Sequence, residues 1–305
     1  MPSTASFIMG HDSVLSNVDE HTVPLSNSLA LRIYSDTKPH NSHIANLQKG
    51  MILVHKGAEV IGEGTGFGVP VLLYPDETYF SGAARVYVSQ QSDLKIIRKE
   101  FCMNKVPRKR IRTVRLKSQT LRVISNLVAD VYQKHKHLRL LTLKKLSGSL
   151  GVHTSFVRAV PAGTVVVTYS LCRDRIEVKT DLSLLKKENL QRIFVLNEQG
   201  SRFFRRYSDS HGTVLVDRQI GAWDTIEADW ASLSDLQSRV GFRLKKTRNS
   251  VLRRGREFLE GCLDWAGLDY EINPTNVFFE YEIEILGVAR SDDNCHAGLP
   301  VFPPS

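Results

Sequence analysis

Alternating apolar and polar residues run through most of the chain and predict β-strands. Between residues 29 and 104, runs such as VPVLLY and ETYFSGAARVYVS are separated by the turn signals KG at 56–57 and PD at 75–76, a pattern typical of a β-meander. The two-residue period returns over 151–290, where PAG at 161–163 predicts a further hairpin turn. We predict that these two stretches pack together as one domain, a large and mostly antiparallel β-sandwich.

The period changes between residues 118 and 137. Apolar residues recur there at three- and four-residue spacing: Leu121, Ile124, Leu127, Val128 and Val131. This spacing predicts an amphipathic helix, and a second short helix is predicted over 141–149. The segment 105–150 is therefore predicted to be a basic helical insertion. Residues 1–28 are polar and predicted to be loosely ordered, and residues 291–305 are predicted to form an extended, proline-rich tail.

An alternative interpretation concerns residues 141–158, LTLKKLSGSLGVHTSFVR, which resemble a helix-turn-helix. With the hairpin that follows as a wing, the motif would occupy about 118–180 of an otherwise β-rich protein. A recognition helix would then begin with residues suited to contacts with base edges or phosphates: His153, Thr154, Ser155 and Arg158. Strict alternation across 152–160 predicts a strand instead, so the conformation of this stretch separates the two alternatives.

Composition narrows the class of protein. No apolar run approaches the roughly 18 residues that cross a bilayer. The N-terminal residues MPSTASFIMGHDS show neither a basic start nor a continuous apolar stretch, so no secretory signal is expected. The four cysteines lie far apart and form no CxxC pair, which argues against a disulfide scaffold or a cysteine zinc site. We therefore expect a cytoplasmic protein without membrane contact.

Charge is distributed unevenly along the chain. Residues 95–145 hold 16 of the 41 Lys and Arg residues but only 2 of the 32 Asp and Glu residues, which leaves the remainder mildly acidic. Such a local excess is typical of a contact with a polyanion, including nucleic acid, although charge runs are also found on solvated faces. The candidate polyanion-binding residues are Arg108, Lys109, Arg110, Arg112 and Arg115.

The segment GEGTGFGVP, residues 62–70, has the glycine content of a phosphate-binding loop but not its spacing. Neither glycine frame gives G-x-G-x-x-G, and the β-type run VPVLLY follows where a helix would be required. Four glycines of one parity would leave one face of a strand bare. We predict a strand with a bend or bulge here and no nucleotide binding; the alternative is a bare face that another backbone or a ligand approaches closely.

The segment WDTIEADW, residues 223–230, has the most site-like composition. In a strand, Trp223, Glu227 and Asp229 share one face, which places an aromatic platform beside two carboxylates. A sugar ring can lie on indole while its hydroxyls donate to carboxylates, so Trp223 is a candidate ligand-binding residue. Glu227 and Asp229 are candidate catalytic residues because paired carboxylates can divide acid and base roles. An ordinary polar strand face is the alternative.

Further candidate ligand-binding residues are Tyr79, Arg85 and Tyr87, which share one parity in the run 77–91, and Trp265 in LDWAGLDY. A Tyr–Arg–Tyr stripe suits an anionic or polyhydroxyl ligand, and it is equally typical of an exposed strand face. No metal site and no cofactor is predicted, because the histidine spacings do not place ligands together and no cofactor motif is present.

In its many long strands, its single helical excursion and its length, the chain resembles the galactose-mutarotase-like supersandwich proteins, and EGTGFGVP, DETYFSG, EADW and LDWAG are the segments that suggest it. This resemblance implies a supersandwich fold that handles carbohydrates, but it transfers no catalytic residue. The first hypothesis is therefore recognition or turnover of a carbohydrate, with the basic segment favouring an acidic glycan. The alternatives are a nucleic-acid-binding protein that uses residues 105–158 and a β-domain without chemistry.

Overall fold

The computed structural model describes residues 16–35, 48–61, 64–75, 77–91, 94–105, 110–113, 152–155, 161–172, 174–259 and 263–288. Within these ranges the chain forms strands and one short 3-10 turn, Asp217–Ile220, and no α-helix. Every described pairing register between strands is antiparallel. The mostly β, antiparallel fold class is thereby confirmed. The helices predicted over 118–137 and 141–149 lie outside the described residues.

The strands are numbered in chain order. They are β1 (Ser16–Val18), β2 (Glu20–Pro24), β3 (Leu29–Tyr34), β4 (Ile52–His55), β5 (Ala58–Glu59), β6 (Gly66–Tyr74), β7 (Glu77–Gln91), β8 (Leu94–Lys105), β9 (Arg110–Thr113), β10 (Val152–Ser155), β11 (Pro161–Cys172), β12 (Arg175–Asp181), β13 (Arg192–Gly200), β14 (Arg206–Asp209), β15 (Val214–Val216), β16 (Asp224–Thr225), β17 (Trp230–Ser234), β18 (Gly241–Lys245), β19 (Ser250–Leu259), β20 (Leu263–Ile272) and β21 (Phe278–Leu286).

The chain divides into two compact units. The first, here called the body, comprises Met1–Met103 and Ala162–Ser305, and the second, here called the inserted unit, comprises Asn104–Pro161. In the body, one sheet has the order β15-β14-β17-β18-β21-β12-β11-β8-β7-β6-β13-β20-β19-β16, with β1 paired to β7, and a second has the order β2-β3-β4-β5. Since β8 and β11 are neighbours in the large sheet, the inserted unit occupies the connection between them.

The large sheet curves until its two ends lie close together. Residues 217–223 lead directly from β15 at one end of the strand order to β16 at the other. The Asp217 carboxylate also accepts a hydrogen bond from Arg256 of β19 at 3.0 Å. Strands that are distant in the order share one core, as the Phe67 and Phe242 rings show at a centroid distance of 5.0 Å. Strongly twisted sheets of more than about ten strands usually curl or split into two packed sheets.

The small sheet confirms the predicted turn at 56–57. Lys56 and Gly57 both have positive φ, 50° and 79°, and they join β4 to β5. Positive φ at both central residues is the geometry of the type I′ hairpin turn that matches strand twist. Beyond β5, the Gly200 amide of β13 donates to the Val60 carbonyl at 2.7 Å and ties this end of the small sheet to the large one.

The two predictions for the middle of the chain have opposite outcomes. The strand predicted over 152–160 is confirmed for Val152–Ser155, which pairs with β9, so the recognition helix of the winged helix-turn-helix alternative does not form there. The turn predicted at 161–163 is wrong, because β11 runs from Pro161 to Cys172 without interruption. Proline is tolerated at the first position of a strand, and Gly163 is needed because a Cβ there would lie 2.2 Å from the Leu184 carbonyl oxygen.

Candidate functional site

The glycine-rich segment forms the predicted bulge. Where β6 pairs with β13, Val69 lies opposite Leu196 and Phe67 lies opposite Asn197. Gly68 has no partner residue between them and is the extra residue of β6. Its φ of 77° is one that glycine adopts readily, and a Cβ there would lie 2.8 Å from the Tyr169 hydroxyl oxygen. The bend or bulge predicted for residues 62–70 is confirmed at Gly68.

Asn197, fully buried beside this bulge, connects three strands. Its Oδ1 accepts from the Gly68 amide at 3.1 Å and from the Tyr281 hydroxyl at 2.8 Å. Its own main-chain amide donates to Asp269 Oδ1 at 2.8 Å, where a carbonyl of the neighbouring strand would ordinarily accept. The bulge and this replaced ladder bond hold the Asp269 carboxylate against β13.

Register places a group of acidic and glycine residues on one face of β13, β20 and β19. Glu198 lies opposite Gly267, and Gly267 lies opposite Gly255. The next pair on this face is Trp265 opposite Glu257. Because directly opposed residues of antiparallel strands point to the same side, these side chains share the face turned away from the residues Leu252, Leu268 and Tyr270, which belong to the core. We call it the carboxylate face.

Trp223 lies across the two glycines of the carboxylate face. A Cβ at Gly255 would lie 2.4–2.8 Å from three atoms of the indole, and a Cβ at Gly267 would lie 2.9 Å from its Cη2. The indole Nε1 donates to Glu257 Oε1 at 2.8 Å. The side chain is half-buried, and the two glycines lie against one side of the ring. The ring is therefore fixed as a platform.

Two carboxylates are buried beside the platform. Glu198 and Asp269 are 7% and 3% exposed, and Glu198 Oε2 accepts from the Thr65 hydroxyl at 3.1 Å. Burial raises the pKa of Glu198 to about 7, and the charge of Glu257 adds to the effect. Burial and the charge of Glu198 raise the pKa of Asp269 well above its usual value. Such shifts arise because desolvation and a neighbouring like charge both disfavour the ionised form.

Lysines are buried close by. Lys49, 7% exposed, donates from Nζ to the Gly64 carbonyl at 2.5 Å, and its positive charge lowers the pKa of Glu198 against the effect of burial. Lys99 is fully buried, and its Nζ donates to the carbonyls of Tyr34 and Lys49 at 2.6 Å each. The polar interior of the body therefore extends from Lys99 through Lys49 to Glu198.

The predicted carboxylates of WDTIEADW lie elsewhere. Ile226 and Ala228 are buried as predicted, and Glu227 and Asp229 are exposed. The Glu227 side chain is 78% exposed and forms an ion pair with Lys246 at 3.4 Å. Only Trp223 of this segment belongs to the carboxylate face, so the predicted catalytic roles of Glu227 and Asp229 have no enclosed site around them in the described part of the chain.

Trp265 and the β7 residues have mixed positions. Trp265 is 8% exposed, and its Nε1 has no hydrogen-bond partner among the described residues. Tyr79 packs against the core, as does Val88 of the opposite parity, so the predicted stripe does not stay on one face of β7. Arg85 is exposed, and Tyr87 is half-buried with the Arg98 guanidinium 6.0 Å from its ring centroid.

A polar groove of about 690 Å³ lies at the far end of the strands that carry the platform. Glu271, on the same face as Asp269, lines it together with amide side chains such as Asn249 and Asn276. Arg253 connects the two regions, because it donates to Glu271 at 3.0 Å and lies opposite Asp269. Carboxylate, amide and aromatic groups thus follow one another along this side of the sheet.

The acidic residues of β21 are paired within the body. Glu280 forms an ion pair with Lys179 at 2.7 Å, and Glu284 one with Arg243 at 3.1 Å. Glu282 has two longer partners, Arg175 at 3.7 Å and Lys245 at 3.6 Å. The partners of these three carboxylates are therefore cross-strand bases of β12 and β18.

The inserted unit contains the charge excess. Asn104–Pro161 holds 14 Lys and Arg residues and one acidic residue, Asp130, while the body holds 27 and 31. Of the predicted polyanion-binding residues, Arg110 and Arg112 lie on β9, opposite Ser155 and His153 of β10. Arg108, Lys109 and Arg115 lie outside the described residues.

Among the described residues no group of three His, Cys, Asp or Glu side chains is arranged to hold a metal ion. Nor does that part of the chain contain a helix of the length and apolarity needed to span a bilayer. Searches of protein-family models, of curated proteins and of solved structures returned no match to this chain. The resemblance to supersandwich proteins therefore stays a prediction.

Proposed function

We propose that this protein recognises a carbohydrate on the carboxylate face, with Trp223 as the aromatic platform. The observation that carries the proposal is the indole fixed over Gly255 and Gly267 and bonded through Nε1 to Glu257. A ring that is already immobilised loses little conformational entropy when a ligand stacks on it, which favours binding. We also propose that the large sheet folds into a β-sandwich, in which its two halves pack face to face around the core.

The chemistry around the platform fits a polyhydroxylated ligand. The C–H face of a sugar ring can stack on the outer face of the indole, as apolar surface does on aromatic rings. Hydroxyl groups can donate to the Glu257 carboxylate at the edge of the indole, and such charge-assisted bonds are stronger than neutral ones. A longer glycan can reach the groove at Glu271 and Asn276 along the same strands.

The platform is tested by replacing Trp223 with alanine and measuring binding on a glycan array and by calorimetry. Loss of a central aromatic contact costs at least about 2 kcal/mol, or about thirtyfold in affinity. Trp230→Ala is the matched control, because its half-buried ring already carries the Arg243 guanidinium at 4.3 Å. Equal binding by the Trp223 and Trp230 variants, both with native circular dichroism, would contradict the proposal.

A second variant separates the position of the ring from its presence. Gly267→Ala places a methyl group 2.9 Å from indole Cη2, which must lift or tilt the platform. We expect weaker glycan binding although Trp223 is retained. Undiminished binding by a folded Gly267→Ala protein would mean that the ligand does not use the fixed ring.

A second candidate function is binding of a polyanion, nucleic acid included, through the inserted unit. The observation that favours it is that the excess of Lys and Arg residues lies within one compact unit, Asn104–Pro161. In addition, Glu280, Glu282 and Glu284 are paired with basic residues inside the body. Excess lysine and arginine charge binds phosphate or sulfate polymers with release of counterions. Measurement of affinity for heparin and for duplex DNA against salt concentration tests this function.

A further inference from the structure

Glu257 stands at the edge of the platform with one of its two oxygens engaged. Its Oε1 accepts from the Trp223 indole Nε1 at 2.8 Å, and the side chain makes no other hydrogen bond within the described part of the chain. It is only half-buried, which leaves Oε2 able to accept from a ligand. Glu198 and Asp269 lie within range of its charge and are acids themselves. The Glu257 carboxylate therefore has neighbours of its own sign.

The other carboxylates of this face each have a basic neighbour. The positive charge of Lys49 acts on Glu198. Arg253 lies directly opposite Asp269 and also forms an ion pair with Glu271 at 3.0 Å. The carboxylate bonded to the platform, in contrast, forms no ion pair with a lysine or arginine of the described ranges. Partly buried charges are ordinarily paired, and a cation brought by a ligand would supply the partner.

A second indole on the same face has a donor without an acceptor. Trp265 lies directly opposite Glu257 in the pairing of β19 with β20 and is 8% exposed. Its Nε1 is buried and has no hydrogen-bond partner among the described residues. Buried indole N–H groups usually find a partner, and leaving one unpaired costs free energy. A ligand that carries both a cation and an oxygen acceptor would satisfy the carboxylate and this indole together.

These two unpartnered groups indicate the chemical class of the glycan. Given the proposed function, on which this step rests, we infer that the carbohydrate on Trp223 is an amino sugar whose unsubstituted, positively charged amino group is held by Glu257. An ammonium group donates charge-assisted hydrogen bonds to a carboxylate. It is also attracted to the face of an indole, the best aromatic partner for a cation. The hydroxyl oxygens of the sugar supply acceptors for Trp265 Nε1.

An acidic glycan, which the basic segment favours, fits this position poorly. A carboxylate or sulfate on the platform would bring a second negative charge against Glu257, with Glu198 and Asp269 within range of it. Like charges repel, and they do so more strongly in a partly buried site than in water. A neutral sugar would avoid the repulsion but would leave the Glu257 carboxylate without a cation.

The test compares three short oligosaccharides on the parent protein by calorimetry. Oligomers of glucose, glucosamine and N-acetylglucosamine with one linkage share the same ring and differ in a single substituent: a hydroxyl, an ammonium or an acetamido group. We expect the glucosamine oligomer to bind at least about tenfold more tightly than the other two, the effect of one hydrogen bond to a charged group. This comparison needs no variant, so it does not depend on how well a substituted protein folds.

Glu257→Gln assigns the preference to this residue. The glutamine amide oxygen can still accept from Trp223 Nε1, which keeps the platform in place, while the negative charge is lost. We expect the variant to bind the glucose oligomer as the parent protein does and to lose the preference for the glucosamine oligomer. Glu227→Gln is the matched control, because it removes the same charge from an exposed side chain paired with Lys246, and it should keep the preference.

The outcomes separate the inference from the proposed function. Equal affinity of the parent protein for all three oligomers, with binding lost in Trp223→Ala, overturns the inference and leaves the platform standing. A preference for the N-acetylglucosamine oligomer overturns it as well. So does a preference for the glucosamine oligomer that survives in Glu257→Gln, since it would then come from general attraction to acidic residues. Absence of binding by all three, or unchanged binding by Trp223→Ala, contradicts the proposed function and the inference with it.

Discussion

Glu198→Gln should change the pH dependence of stability in a defined direction. Glutamine mimics the protonated acid, keeps an acceptor for the Thr65 hydroxyl and cannot ionise. In the parent protein, burial raises the pKa of Glu198 from 4.5 to about 7. The folded state therefore binds more protons than the unfolded state between these values, and the free energy of unfolding must fall as pH rises through this window.

The size of the effect follows from the shift. Each pKa unit corresponds to about 1.36 kcal/mol, so the parent protein should lose about 3 kcal/mol relative to Glu198→Gln between pH 4.5 and pH 8. Asp269 adds to the difference, because the charge of Glu198 is one cause of its own raised pKa. Urea unfolding of both proteins across this range, followed by circular dichroism, gives the two free energies.

Glu227→Gln is the control for this experiment, because it also removes one negative charge but from an exposed side chain. We expect its free energy of unfolding to follow that of the parent protein across the pH range. A difference between Glu198→Gln and the parent that stays constant from pH 4.5 to pH 8 would refute the reasoning, since it would mean that Glu198 titrates alike in the folded and unfolded states.

Three further predictions concern the bulge, the inserted unit and the platform. Gly68→Ala should destabilise the protein by about 2 kcal/mol or more in chemical unfolding, since positive φ alone costs about 1 kcal/mol and the Tyr169 hydroxyl adds a clash. Gly57→Ala, with similar φ and nothing within 4 Å, should show only the conformational cost; equal losses would contradict a packing role. Reversal of Arg108, Lys109 and Arg110 to Glu should abolish salt-sensitive binding to heparin and DNA in filter-binding assays, and sequence-selective binding that depends on Arg158 would contradict it. Saturating glycan should protect Trp223 but not Trp230 from oxidation by N-bromosuccinimide, read by mass spectrometry, and equal protection would count against the platform.

Patterns within one strand could be predicted from the sequence. Alternation placed Ile226 and Ala228 inside and Glu227 and Asp229 outside, and the burial agrees although these four residues lie between β16 and β17 rather than in a strand. The glycine run predicted a bend or bulge within residues 62–70, since glycines of one parity have no side chains to pack, and the structure places it at Gly68. The turn at 56–57 could also be predicted from its own two residues, Lys56 and Gly57.

The carboxylate face could not be predicted in this way, because it depends on register between strands that are distant along the chain. Glu198 and Asp269 come together only through the pairing of β13 with β20, and Gly255 faces Gly267 only through β19. One signal was available: NEQG, residues 197–200, places polar residues on both faces of a strand that begins with regular alternation. A strand that is polar on both faces at one end points to a buried polar site rather than to solvent.

The meeting of the two sheet ends has a consequence for self-association. The first and last strands of a sheet offer unpaired N–H and C=O groups, along which a second chain can add and start an aggregate. Here the terminal strands β15 and β16 are only three and two residues long. A charged residue, Asp224, forms part of β16, and Asp217 follows β15 directly. A second chain would therefore find few main-chain groups to pair with at either end of this sheet.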